Sequence, residues 1–461
     1  MTILIGTGSN GRGKFVHYVN MTTIWSNLMI VAMIGAAVCS TWGILHISIL
    51  QIADIFLVGA AALALGLFIF SGLRFTIPYW IFAPPAALLA CSLIRVISPV
   101  PEFFYSERFQ LAIYKPGSLV KASFWLLAIL VIPLCVMACA AINKRSPSWI
   151  AYGFLVGVCI SASVGISDFL GFTHVAASYG YQTITMRQAG LTAHPNTLGF
   201  VSIISVPIAI HLLASESARV KWLSTLAVAL LCGGVVVSGS RAAQVLFIPV
   251  VIASIIVTPA PVRAAVRNWI AMLMAGGLIA GVIALFTVIP ESTRDQLLRF
   301  GSNNSNAADS DSERGILASQ ALNDFFHFPV AGIGIKHIAD AHSVYLQLIS
   351  SGGLILLFAM LVYWIGCIRN GIALTRLGVT IAPFLTIGVI AWMMLGIVEN
   401  PISDRYLYYT VACIAGLASA HLKPMTTLST RRLSTGRVAT ERQPSGSSSI
   451  APSIVTPDRS K

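Results

Sequence analysis

Long uninterrupted runs of apolar residues are the feature that most restricts the fold of this chain. The runs are about 18–24 residues long, the length that an α-helix needs to cross the hydrocarbon core of a membrane. Hydrophobic residues make up 56% of the 461 residues and charged residues only 10%, whereas soluble domains carry about 25% charged residues. A membrane β-barrel would show short alternating segments instead. The sequence therefore predicts an all-α, polytopic integral membrane protein.

Twelve membrane spans are predicted. They lie at about 24–41, 53–72, 78–97, 122–142, 148–169, 195–213, 222–238, 242–258, 268–289, 343–367, 378–397 and 404–421. The first pair, and the seventh and eighth spans, which are separated only by the turn Ser238–Arg241, can each be counted differently.

Basic residues predict the orientation, because Lys and Arg are enriched in cytoplasmic loops. They fall in alternate loops together with the two termini, as Arg74, Lys144, Arg145, Arg219, Lys221, Arg263, Arg267, Arg369 and Arg376. This distribution explains much of the net charge of +13 and argues against nucleic acid as a partner. We expect a cytoplasmic N-terminus (1–22) without a cleavable signal peptide, a membrane domain (23–421) and a basic cytoplasmic tail (422–461). The tail is rich in Ser, Thr, Pro and Arg and is predicted to be disordered.

One large polar segment, residues 290–342, interrupts the apolar blocks on the opposite, outer side and holds seven of the 16 carboxylates. Within it, Glu313–Phe326 has helical periodicity, with Ser310 or Asp311 as a cap. The predicted apolar face consists of Leu317, Leu322, Phe325 and Phe326. The flexible stretch Gly301–Asn306 precedes it, so the segment predicts an amphipathic helix that acts as a lid at the membrane surface.

Basic side chains on the outer side run against the charge bias and are therefore candidate site residues. They are Arg187, Arg241 and Arg314, with His342 at the end of the large loop. Guanidinium groups bind phosphate and pyrophosphate through forked hydrogen bonds, and helix N-termini add further N–H donors. An imidazole can take a proton from a hydroxyl at neutral pH. These residue types together indicate a site for a lipid-linked pyrophosphate leaving group, with His342 activating an acceptor.

Each of these residues also has a structural interpretation. A basic side chain can be an interfacial anchor, and we favour this interpretation for Lys115, Lys121 and Arg294. His342 can be a helix cap. His194 is a second candidate base whose Pro-Asn context fits a helix cap equally well, and Asp54 and Asp168 lie where caps are expected. The eight cysteines fall in apolar segments and indicate small buried residues rather than a metal site or disulfides. No metal and no cofactor are expected.

Three motifs resemble those of the O-antigen ligase and polysaccharide polymerase family of bacterial inner membranes. The first runs from Arg187 through Gly190 to His194-Pro-Asn-Thr-Leu-Gly199, and the second is Ser238-Gly-Ser240-Arg241. The third is Arg314 followed by Gly332-Ile-Gly334 and His342-Ser-Val-Tyr345-Leu-Gln347. The resemblance covers residues 50 to 420. Ser343 departs from the asparagine, and Ser351 from the acid, that the family more often has at these positions.

The resemblance implies a metal-independent, inverting membrane glycosyltransferase that uses an undecaprenyl-pyrophosphate-linked oligosaccharide as donor. By transfer, Arg187, Arg241 and Arg314 would bind the pyrophosphate and His342 would be the catalytic base, with His194 and Tyr345 as secondary candidates. The acceptor would be a glycan or a lipid, and membrane lipids and polysaccharide assembly proteins would be partners. The expected location is the bacterial inner membrane. A surface-polysaccharide or exopolysaccharide polymerase is favoured over an O-antigen ligase because such polymerases are numerous in the family.

Two other function classes remain as alternatives. A secondary transporter of a small anion could use the same arginines, but it would place ionisable groups or broken helices near the bilayer midplane. A lipid-linked sugar flippase would need a charged central cavity. The predicted spans are almost free of charge, and their polar groups gather at the outer ends.

Overall fold

The computed structural model describes residues 2–3, 19–47, 50–101, 123–179, 187–215, 217–287, 305–334, 341–399, 402 and 404–422. Its helices are α1 (Met21–Cys39), α2 (Ile52–Ser71), α3 (Ala83–Ile97), α4 (Ile132–Ile142), α5 (Ser146–Phe169), α6 (Val175–Ser178), α7 (Pro195–Leu213), α8 (Ala218–Ser238), α9 (Arg241–Val257), α10 (Ala260–Thr287), α11 (Ser305–His327), α12 (Val344–Arg376), α13 (Ala382–Leu395) and α14 (Tyr408–His421). Shorter helical turns are 3₁₀ at Tyr79–Phe82 and Arg405–Leu407 and π at Leu127–Val131. Two antiparallel pairs of two-residue strands join Thr2–Ile3 to Val19–Asn20 and His46–Ile47 to Leu50–Gln51. The predicted all-α class is confirmed.

Eight helical segments are long and apolar enough to cross a membrane. They are Thr22–Cys39, Ile52–Ser71, Tyr79–Ile97, Ser123–Ile142, Ser146–Phe169, Pro195–Leu213, Ala218–Ser238 and Val344–Arg376. Arg241–Val257 and Ala382–Leu395 are apolar but shorter. Each predicted span contains helix, but the count of twelve spans and the placement of the large loop stay predictions.

Polar residues at helix ends act as the predicted caps. Asp54 accepts a hydrogen bond from the backbone N–H of Gln51 (2.8 Å) and so caps α2. Asp168 accepts from the backbone N–H groups of Val175 (2.9 Å) and Ala176 (3.0 Å), which begin α6. Both carboxylates therefore satisfy N–H groups that a helix start leaves without partners.

A core of aromatic rings lies between α12, α13 and α14. Trp392 packs edge-on against Trp364 (5.6 Å between ring centroids) and against Tyr408 (5.0 Å). The indole N–H of Trp125 donates to the Tyr408 hydroxyl (2.8 Å), which donates in turn to the carbonyl of Ile402 (2.6 Å). The rings thus support the segment that joins α13 to α14. All eight cysteines are free, and six of them are buried, as predicted.

The helix of the large loop differs from its prediction. It begins at Ser305, so Ser310 and Asp311 lie inside α11 and do not cap it. Among the side chains of α11 that the structure describes, Leu317, Ala321 and Asp324 are buried, whereas Leu322 and Phe326 are exposed. The predicted apolar face was therefore right for Leu317 but wrong for Leu322 and Phe326, because the side of α11 that packs on α12 buries a carboxylate instead.

Several sequence-based expectations fall on residues outside the described part of the chain. They concern most of residues 1–22, Lys115, Lys121, Arg294, residues 301–304 of the linker, and the tail beyond Leu422. The described helices belong to one compact unit, Met1–Leu422.

Candidate active site

Glu399, in the segment that follows α13, is the centre of a cluster of polar side chains. Its Oε1 accepts hydrogen bonds from the side-chain amide of Asn196 and from Arg314, whose Nη2 lies 3.5 Å away. Its Oε2 lies 3.9 Å from Nδ1 of His342. One carboxylate therefore joins residues from the start of α7, from the loop helix and from the start of α12.

Arg187 reaches the same cluster through Asn196. Its Nε donates to the backbone carbonyl of Ser238 (2.8 Å), and its Nη2 donates to Oδ1 of Asn196. Asn196 thus accepts from Arg187 with one side-chain atom and donates to Glu399 with the other. The arginine is half-buried and held in a fixed orientation by the C-terminal end of α8.

The start of α7 places Asn196 and His194. Pro195 occupies the first helical position, where its missing N–H costs nothing. His194 is the N-cap, and its Nδ1 accepts from the backbone N–H of Asn196 (3.1 Å). Burial lowers the pKa of His194; the positive charges of Arg187, Arg314 and His342 lower it further, while Glu399 opposes them. His194 is therefore neutral at pH 7, and the cap interpretation is confirmed.

Arg241 is the first residue of α9 and follows a tight turn at the end of α8. The turn contains Gly239 in the left-handed conformation (φ 57°), with Arg187 packed directly against it. The backbone of Arg241 therefore lies within three residues of the Ser238 carbonyl that holds Arg187. Its side chain is half-buried, and the residue lies at the N-terminus of α9.

His342 has a left-handed backbone (φ 48°), the only described non-glycine residue with a positive φ. Such a conformation costs on the order of 1–3 kcal/mol and persists only where the surroundings impose it. Here the next turn is anchored to the Glu399 segment, because the N–H of Val344 lies 2.7 Å from the carbonyl of Gly396 and 3.1 Å from that of Glu399. The strained backbone directs the imidazole toward the Glu399 carboxylate.

Tyr345 lies one turn farther along α12 and packs against the aromatic core. Its hydroxyl donates to the carbonyl of Met393 (2.8 Å), and its ring meets Trp364 edge-on (5.7 Å). These contacts fix α12 against α13. A direct role for Tyr345 in the site stays a prediction.

The electrostatics of the cluster favour an anionic ligand. Burial on its own would raise the pKa of Glu399, but the nearby His342 imidazole and the positive charge of Arg314 bring it below its ordinary value. Glu399 is thus ionised at neutral pH. Arg187 and Arg314 outnumber this single carboxylate, and Arg314 and His342 each remain about one third exposed. The site can accept further negative charge from the exposed side.

Glu399 is the residue that the sequence analysis missed. A signal was present, since three outer arginines in an apolar protein require a counter-charge, and the short 398–403 loop contains one acid. Asn196 and Ser238 were part of the recognised motifs but had no assigned role. Within the described residues, no group of three His, Cys, Asp or Glu side chains is arranged to hold a metal ion.

Residues 226–361 match the family model described as O-antigen ligase. Among the candidate residues, the matched stretch contains Arg241, Arg314, His342 and Tyr345. A search of curated proteins found no match. The chain thus has a segment similar to the O-antigen ligase family, within a bundle of apolar helices.

Proposed function

We propose that the Glu399 cluster is the active site of a metal-independent, inverting glycosyltransferase that acts on an undecaprenyl-pyrophosphate-linked glycan. The observation that carries the proposal is that two candidate site residues share one carboxylate. Arg314, a cation for the leaving group, lies 3.5 Å from Oε1 of Glu399, and His342, the candidate base, lies 3.9 Å from Oε2. Polymerisation of a surface polysaccharide or exopolysaccharide is the favoured reaction, and O-antigen ligation is the next candidate.

The arrangement of Glu399 and His342 determines which imidazole nitrogen acts. Because Oε2 faces Nδ1, the carboxylate stabilises the tautomer with its proton on Nδ1. Nε2 is then the atom that accepts the proton of an acceptor hydroxyl. The acceptor oxygen forms a bond to the anomeric carbon while the bond from that carbon to the pyrophosphate oxygen breaks. A single displacement of this kind inverts the anomeric centre.

Stabilisation of the departing pyrophosphate is the main catalytic contribution. Arg187 and Arg314 offer forked donors that match phosphate oxygens, and Arg241 adds a third guanidinium beside a helix N-terminus. Removing one such group typically costs on the order of 10²–10³ in rate. Glu399 keeps these cations from repelling one another before the donor arrives.

The cluster faces the outer side of the inner membrane in this proposal, and both termini are cytoplasmic. Support comes from the helix ends. The start of α7, the end of α8, the start of α9 and the start of α12 meet at the cluster, whereas their opposite ends carry or adjoin the basic loops. Cytoplasmic loops are enriched in Lys and Arg. Neither the fold nor the family match supports the transporter alternative.

The test uses a deletion strain complemented with His342→Ala, Arg314→Ala or Arg241→Ala. Each variant should reach the membrane in normal amount and produce no long-chain polysaccharide on a gel. Arg145→Ala, at the other end of the helix bundle, is the matched control and should behave as wild type. If the inactive variants contain only single repeat units, the enzyme is a polymerase. If they contain full-length polymer that remains attached to its lipid carrier, the enzyme is a ligase. Normal polymer from the three site variants would refute the assignment.

A further inference from the structure

Helix α12 is broken at Gly353, which has non-helical backbone angles (φ 58°, ψ −154°). The two N–H groups after the break turn to another segment of the chain. Leu354 donates to the carbonyl of Pro329 (2.8 Å), and Ile355 donates to that of Val330 (3.2 Å). The segment after the loop helix α11 therefore supplies acceptors that α12 lacks.

The carbonyl groups before the break are satisfied by the same segment. Ser350 accepts from the N–H of Ile333 (2.7 Å), and Ser351 accepts from that of Gly334 (2.9 Å). Residues 329–334 thus make four backbone hydrogen bonds with both halves of the broken helix. An unsatisfied backbone group is costly in an apolar environment, so these bonds hold the two segments together.

Only glycine permits so close a backbone approach. A Cβ on Gly332 would lie 2.4 Å from the amide nitrogen of Gly352, and one on Gly353 would lie 2.4 Å from the carbonyl of Val330. Both glycines also have positive φ values, which other residues adopt at a cost. Any side chain at either position would push the segments apart.

A buried carboxylate completes this contact. Asp324 of α11 has no exposed surface, and its Oδ2 accepts from the hydroxyl of Ser350 (2.9 Å). Next to it, the amide of Gln347 donates to the Ser351 hydroxyl (2.9 Å) and accepts from the N–H of Ala341 (3.1 Å), beside His342. We call Asp324, residues 329–334 and residues 350–355 the clamp.

The clamp lies at a distance from the Glu399 cluster but is joined to it by helix. Arg314 precedes Asp324 by ten residues in α11, about 15 Å along a helix, and His342 precedes Ser350 by eight, about 12 Å. The two stretches run parallel, since Arg314 and His342 lie at Glu399 while Asp324, farther along the first stretch, meets Ser350, farther along the second. The clamp at one end of these stretches therefore sets the position of Arg314 relative to His342, measured along the helix axes, at the other end.

We infer that the clamp positions the leaving-group arginine against the catalytic histidine, with Asp324, Gly332 and Gly353 as positioning residues. On this view α11 is a fixed wall of the active site and not a mobile lid. The inference rests on the proposed function to the extent that Arg314 and His342 act in the same transfer. A misplacement of about 1 Å in such a pair costs on the order of 10²-fold in rate.

The experiment compares Gly353→Ala with two glycine controls. The first control is Gly378→Ala, because Gly378 also has a positive φ (80°) but no atom lies close to where a Cβ would stand. The second is Gly315→Ala, because Gly315 lies in α11 and likewise has open space for a Cβ. Rates per folded molecule and amide hydrogen exchange are measured on the full chain in nanodiscs. We expect Gly353→Ala to lower kcat about 100-fold and to speed exchange in residues 329–334, while both controls behave as wild type.

A second pair of variants serves if Gly353→Ala does not fold. Asp324→Asn keeps an oxygen that can accept from Ser350 and should retain most activity, whereas Asp324→Leu should lose kcat with little change in the KM for the donor. Fast exchange of residues 329–334 in the wild type, or full kcat in Asp324→Leu, would overturn the inference. Activity that survives both Arg314→Ala and His342→Ala would instead refute the proposed function, and slow exchange would still report the clamp.

Discussion

Replacing Glu399 with glutamine isolates the role of the carboxylate, because the two side chains have nearly the same shape. The amide oxygen can still accept from Asn196 and Arg314. The amide NH₂ then stands in place of Oε2, 3.9 Å from Nδ1 of His342, and it cannot accept a hydrogen bond. The tautomer with the proton on Nε2 becomes favoured, and Nε2 can no longer act as the base.

The expected loss follows from this change of tautomer. A carboxylate-to-amide change behind the base of serine proteases lowers kcat about 10⁴-fold. The separation of Nδ1 and Oε2 here is longer than in a fully formed hydrogen bond. We therefore expect a decrease on the order of 10²–10³, which corresponds to about 2.7–4.1 kcal/mol of transition-state stabilisation.

The assay is the initial rate of glycan transfer by purified protein in nanodiscs, with a lipid-linked oligosaccharide donor, over a range of pH. Glu399→Asp keeps the charge and should recover part of the rate. Asp168→Asn, which alters a carboxylate that only caps α6, is the control. A Glu399→Gln enzyme with the wild-type rate and pH profile would refute the proposed role of the carboxylate.

Three further predictions concern stability and ligand binding. The side chains of Asp54 and Arg405 form a buried ion pair (2.5 Å between Oδ1 and Nε), so Asp54→Ala should lower the free energy of unfolding by about 3–5 kcal/mol in a denaturation assay, and a leucine pair at both positions should lose less. The pKa of His194 is lowered from 6.5, so the unfolded chain takes up this proton first as pH falls. The melting temperature should therefore decrease below about pH 6.5, and His194→Asn, which still caps α7, should lessen that decrease. Arg187→Lys should lower the affinity for the donor in a binding assay on the order of 10-fold, because lysine cannot make both the Ser238 and the Asn196 contacts.

Part of the candidate site could be predicted because its signals are local. Arg187, Arg314 and His342 were identified as basic residues on the outer side of an apolar chain. The structure places Arg314 and His342 beside Glu399 and joins Arg187 to it through Asn196. Helix caps such as Asp54 and His194 depend on neighbouring residues only, and they were found where the sequence placed them.

Glu399 and the packing of α11 could not be read in the same way. Glu399 lies 57 residues after His342, and nothing in its own neighbourhood indicates which cations it meets. The apolar periodicity of α11 suggested that Leu322 and Phe326 face inward, but the buried side contains Asp324. A carboxylate is normally placed outside, and only its contact with Ser350 across the fold makes burial acceptable.

The sequence by itself determined that the chain is a bundle of apolar helices, where most helices lie, and which basic residues stand at one end. These features follow from segment length, composition and charge, which act along the chain. Only the tertiary structure decided that Arg314 and His342 both lie beside Glu399. It also decided that the residues on either side of the break in α12 form hydrogen bonds with the segment after α11. Such contacts depend on distance in space between helices that are far apart in sequence, and local pattern does not encode that distance.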